Sequence, residues 1–123
     1  MMLLLHGRDP IPAVLAVIYV IGCLAAVFVW LSGPGGWQGA LLAVFALDWA
    51  AGTVANAARS TRAYYAELPV WVSVLFVAIH VFEVPILWWL AGGTDLFGWM
   101  LLLLTIKMAL FICGQIEMRT RKE

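Results

Sequence analysis

The sequence predicts an all-α membrane protein, a four-transmembrane-helix bundle running up-down-up-down. Three observations predict it. The chain is 65% hydrophobic and only 11% charged, too little charge for an ordinary soluble domain. Four apolar stretches each approach the roughly 20 residues needed to cross hydrocarbon. Short connections between them force neighbouring helices antiparallel. One transmembrane domain over residues 1–123 then uses the whole chain, with no soluble domain.

The first helix is expected over 11–31, opening after Pro10 and Pro12, which a helix start tolerates. Arg8 followed by an apolar run and Val20-Ile21-Gly22-Cys23 imitates a lipoprotein signal. The run continues from Leu24 to Leu31, however, which suits a spanning helix. Ser32-Gly33-Pro34-Gly35-Gly36 reads as a turn, and the second helix follows over 37–58. That helix is rich in small residues (Gly39, Ala43, Ala46, Ala50, Ala51, Gly52, Ala55). Small residues allow close backbone approach in lipid, so it is expected to be central or to form a dimer contact. Arg59 to Glu67 is a polar connector. The third helix spans 68–90 and contains Pro85, which removes a backbone hydrogen bond and predicts a kink. Ala91-Gly92-Gly93-Thr94-Asp95 is the next turn, the fourth helix spans 96–116, and a charged tail closes the chain.

Charge predicts orientation. Arg8, Arg59, Arg62, Arg119, Arg121 and Lys122 fall on one side of this arrangement, and the two short turns on the other side carry no Lys or Arg. The positive-inside bias then puts both termini in the cytoplasm, most simply at a plasma (inner) membrane. Trp30, Trp37, Trp88, Trp89 and Trp99 mark the outer interface, and Tyr64, Tyr65 and Trp71 the inner one. Cys23 and Cys113 lie at different depths and are not expected to form a disulfide. The net charge of zero gives no pull toward nucleic acid.

Depth counting brings out one feature with chemical content. Asp48 is eleven residues in from Trp37, Lys107 eleven in from Leu96, and His80 ten before Leu90. Glu83 shares a face with His80, three residues on. Asp48, His80, Glu83 and Lys107 therefore form an intramembrane polar site near the midplane. A charged side chain there costs ~2.5–3.5 kcal/mol on insertion scales, so these groups are expected to face inward and pair. In their usual states they carry one net negative charge, which predicts a retained proton, on His80 or shared with a carboxylate.

Asp48, Gly52, Ala55 and Arg59 share one arc of the second helix with Asn56 on its flank, and Lys107, Phe111 and Gly114 share one of the fourth with Gln115 beside it; Asn56, Arg59 and Gln115 are candidates for a polar path from this site toward the cytoplasm. Ordinary interhelical hydrogen bonding is the alternative. Arg62, Tyr64 and Tyr65 are candidate interfacial residues that would meet a headgroup or anchor the topology. Asp48, His80 and Glu83 are metal-ligand types, but the Lys107 ammonium competes for the carboxylates, so no metal is expected. Nothing specifies a cofactor. There is no phosphate loop, nucleophile elbow or zinc spacing.

The segment Pro69 to Pro85, with Ser73, His80 and Glu83, is faintly similar to one helix of the emopamil-binding/sigma-2 receptor superfamily. The similarity covers that helix alone and departs in its glutamate-to-proline spacing, so it transfers no residue roles. It adds weight to a membrane-embedded enzyme, isomerase- or reductase-like, which an acid and a base at mid-membrane would also suit. The function expected first is a carrier or channel-like transporter of an ion, proton or small molecule, working as a homodimer in the lipid bilayer. The alternatives are a membrane-embedded enzyme on an isoprenoid or sterol-like molecule and a non-catalytic assembly partner docked through the second helix.

Overall fold

The computed structural model describes residues 11–121, so Pro10, Arg8, Lys122 and the roles expected of them lie outside the described residues. The chain forms α1 (Pro12–Ser32), α2 (Gly36–Ala57), α3 (Arg59–Glu67), α4 (Val70–Ala91) and α5 (Asp95–Arg121). Four of these, all but α3, are long and apolar enough to cross a membrane. Cys23 and Cys113 are free.

Two elements differ from expectation. The connector Arg59 to Glu67 is a helix, set off from α2 by Ala58 in extended conformation. Its segment has little apolar run, but Thr61, Tyr65 and Ala66 form a buried stripe at helical spacing. The fourth long helix does not stop near 116 but runs on through the charged tail to Arg121. There Arg119 donates from Nε to Gln115 one turn back, at 3.2 Å. Its Nη2 also donates to the carbonyls of Tyr65 (3.0 Å) and Leu68 (2.9 Å) at the end of α3. An arginine that closes another helix's end has good reason to be held in a helix itself. Through Pro85, α4 remains one continuous helix.

The helices touch in an order that differs from their order in the chain. α1 and α2 form a tight hairpin, because Gly22 lets the backbones close: a Cβ there would lie 3.0 Å from the Cβ of Ala51 and 3.2 Å from the carbonyl of Leu47. On its other side α2 packs against α5, and α4 leans mainly on α5 and meets α2 only lightly. The small-residue helix is therefore the central element. Near the two glycine-containing turns, Val29, Leu42, Trp49, Leu87, Met100 and Leu104 belong to one apolar core joining all four long helices. Nearer the arginine-rich end, Ile18, Ala51 and Ala55 close a smaller α1–α2 core. The outward faces of the long helices stay apolar, as in Val44, Leu75, Phe82 and Ile106, all exposed.

Candidate functional site

Asp48 on α2, His80 and Glu83 on α4, and Lys107 on α5 meet at mid-helix. Lys107 Nζ lies 2.7 Å from His80 Nε2 and 3.4 Å from Asp48 Oδ2. His80 Nε2 is 3.7 Å from Glu83 Oε1. The other imidazole nitrogen, Nδ1, donates to the carbonyl of Phe76 one turn earlier, at 2.7 Å. A carbonyl only accepts, so Nδ1 carries a proton, and in a neutral imidazole Nε2 then accepts from Lys107.

Two contacts of the site were not legible in advance. Trp49, buried beside Asp48, donates its indole N–H to Glu83 Oε2 at 3.3 Å. It also stacks on Phe45, with centroids 5.3 Å apart. A buried indole needs an acceptor, and its adjacency to Asp48 was the available signal. Gly52, one turn after Asp48, is the notch that admits the lysine: a Cβ there would meet Lys107 Nζ at 2.9 Å and Cδ at 3.0 Å, and Cε closer still.

Exposure divides the group. The side chains of Lys107, His80 and Glu83 are 3%, 7% and 15% exposed, whereas Asp48 is 42% exposed. Asp48 follows Val44 by one turn and Leu47 by one residue, both on the lateral surface of the chain. One carboxylate of a largely buried cluster thus faces outward at mid-helix.

The flanking residues take different roles. Asn56 and Gln115 are buried. Asn56 donates to the carbonyl of Gly52 in its own helix, 2.7 Å, and its carbonyl accepts from Arg62 Nε at 2.9 Å. Gln115 accepts from Ser73 and Arg119. Between this arginine-end network and the Lys107 layer stand three rings. Phe76 and Phe111 stack at 4.2 Å, and Tyr65 meets them edge-on at 5.3 and 5.1 Å. Phe76 also touches the His80 ring at 4.4 Å. Tyr65, expected at the interface, is in fact 1% exposed and belongs to this stack. Burial pushes its phenol well above the ordinary tyrosine range, with Tyr64 and Asp48 adding to the effect. Tyr64 is partly exposed. Arg59 is exposed and joins Arg62, which pairs with Glu117 at 3.1 Å, in a surface pocket of about 240 Å³ at that end. A second pocket, about 570 Å³, lies between the two turns near Phe28, Asp95 and Trp99. Neither of these pockets reaches the four-residue cluster.

Asp48, His80 and Glu83 offer one metal-ligand atom each, all within 4.8 Å of one another. The Lys107 ammonium already engages two of the three, so the chain's own cation stands where an ion would bind. Chemically the arrangement suits holding, exchanging or passing one positive charge. Comparison with protein families, characterised proteins and solved structures finds no match to this chain, so its site is read from its own geometry.

Proposed function

We propose that the chain is a small membrane carrier that binds one proton or one small cation at the layer of Asp48, His80, Glu83 and Lys107. Charge balance carries the reading. An imidazolium has no lone pair to offer Lys107, so with Lys107 as an ammonium, His80 is neutral: Nδ1 donates to Phe76 and Nε2 accepts. Two carboxylates then face one ammonium, and the layer is one positive charge short. An uncompensated charge at mid-bilayer costs ~2.5–3.5 kcal/mol on insertion scales. A proton shared between Asp48 and Glu83, or a cation at Asp48, removes that cost. A proton shared between the carboxylates leaves the Lys107 ammonium donating to His80, whereas a proton on His80 requires the Lys107 nitrogen to accept instead. A purely structural ion network has little reason to leave one carboxylate 42% exposed.

In this reading the long helices run up-down-up-down across a plasma (inner) membrane, with both termini cytoplasmic. Two copies work together, because one set of four helices this small barely encloses a pathway. The experiment is proton flux into liposomes carrying an entrapped pH dye, driven by a potassium diffusion potential. Wild type is expected to conduct above empty liposomes, and Asp48→Asn to lower the rate at least tenfold. Equal flux in wild type, Asp48→Asn and Glu83→Gln refutes the proposal.

A further inference from the structure

We infer that the cation taken by this site is a protonated lipophilic amine that enters sideways from the bilayer, between α2 and α4. The inference rests on the carrier reading above and adds the substrate class. Three observations lead to it.

First, the layer is closed along the helix axes. Toward the turns lies the apolar core of Leu42, Leu87, Met100 and Leu104. Toward the arginine-rich end lies the ring stack of Tyr65, Phe76 and Phe111. Second, the exposed side of the layer is lateral, at Asp48. α2 and α4 meet only lightly, and the partly exposed Asp48 of α2 has its carboxylate within 4.8 Å of the His80 and Glu83 ligand atoms on α4. The surrounding surface is apolar, with Val44 and Leu47 on α2 and Ile79 on α4 all exposed. A small hydrated ion has no reason to approach through such a surface, whereas an amine with an apolar body does, leaving the body against those side chains.

Third, the recognition chemistry is already present. The site holds one ammonium, that of Lys107, through an imidazole and a carboxylate. Asp48 Oδ2 accepts one long bond of 3.4 Å, and among the described residues no donor reaches Oδ1. A second ammonium donating to Oδ1 makes a charge-assisted hydrogen bond and supplies the missing positive charge. Where the carboxylates hold a proton, the incoming ammonium displaces it, so amine and proton compete one for one.

The test uses the full chain in phosphatidylcholine nanodiscs and a fluorescent primary amine, dansylcadaverine, with its neutral N-acetyl derivative and methylammonium as controls. Saturable binding of one amine per chain is expected. It weakens at least tenfold in Asp48→Asn and is kept within about threefold in Asp48→Glu. Methylammonium competes at least a hundredfold less well, for lack of an apolar body. Uptake equal to that of empty nanodiscs, or unchanged in Asp48→Asn, overturns the inference. If Asp48→Asn does not fold, wild type decides alone: N-acetyl derivative bound as tightly as the amine overturns it. Efficient disulfide crosslinking of Asp48→Cys between copies also overturns it, because a second copy then covers the opening. Proton flux without amine binding removes the amine and leaves the carrier. Loss of both removes both.

Discussion

Replacing Gly52 by alanine tests the seat of Lys107. The new Cβ would stand 2.9 Å from Nζ and 3.0 Å from Cδ of a side chain only 3% exposed. Ordinary carbon contacts lie near ~3.5–4.0 Å and Cε lies nearer the new Cβ than either of these atoms, so the lysine must retreat by more than about 1 Å. Asp48 is on the same helix one turn away, and a retreat from Gly52 is also a retreat from Asp48. The Nζ–Oδ2 distance, already 3.4 Å, then leaves hydrogen-bond range. Overpacking a filled interior costs ~1–3 kcal/mol, and weakening a hydrogen bond to a charged group costs ~1.5–3 kcal/mol. Relaxation makes the two overlap, and we expect about 2 kcal/mol. A double-mutant cycle isolates it. In Lys107→Ala the space beside Gly52 is empty, so Gly52→Ala should cost nearly nothing there, giving a coupling of about 2 kcal/mol. The assay is reversible unfolding in mixed micelles, followed by helical circular dichroism. Additive costs in the two backgrounds, within about 0.5 kcal/mol, would refute the seating of Lys107 over Gly52.

Three further outcomes follow from the same contacts. Trp49→Phe keeps the stack on Phe45 and removes the donor to Glu83; a loss of ~1–3 kcal/mol is expected, measured in the same micelles. Arg119→Gln removes one donor from the carbonyls of Tyr65 and Leu68, so amide hydrogen exchange should rise in α3 while α1 is unchanged. The Tyr65 phenol is raised above its ordinary value: an unfolded chain loses this proton from about pH 10, while the folded one keeps it to higher pH. Stability is therefore expected to fall as pH rises above about 10, and Tyr65→Phe should flatten that slope in chemical unfolding at stepped pH.

Four apolar stretches, their turns and the common depth of Asp48, His80 and Lys107 could be read directly, because span length and residue count translate into position along a helix at a fixed rise. The centrality of α2 was legible for a related reason: its small residues mark where backbones approach. Tyr65 was misplaced because an aromatic beside arginines suits an interfacial belt as well as a buried stack, and only the fold of 59–67 into a helix turns it inward. Trp49 was missed, and Gly52 was read only as a small residue of the second helix, because their importance lies in what faces them, Glu83 and Lys107, on other helices.

By itself, then, the sequence determined how many long apolar helices there are and how far along its helix each ionisable group lies, since both depend on local composition and rise per residue. The tertiary structure alone decided that α2 packs on α5, that the Lys107 ammonium sits between His80 and Asp48, and that Asp48 keeps an open side. Rotation about each helix axis and the choice of neighbour are set by side-chain packing between segments far apart in the chain, and a depth count along one helix carries no term for either.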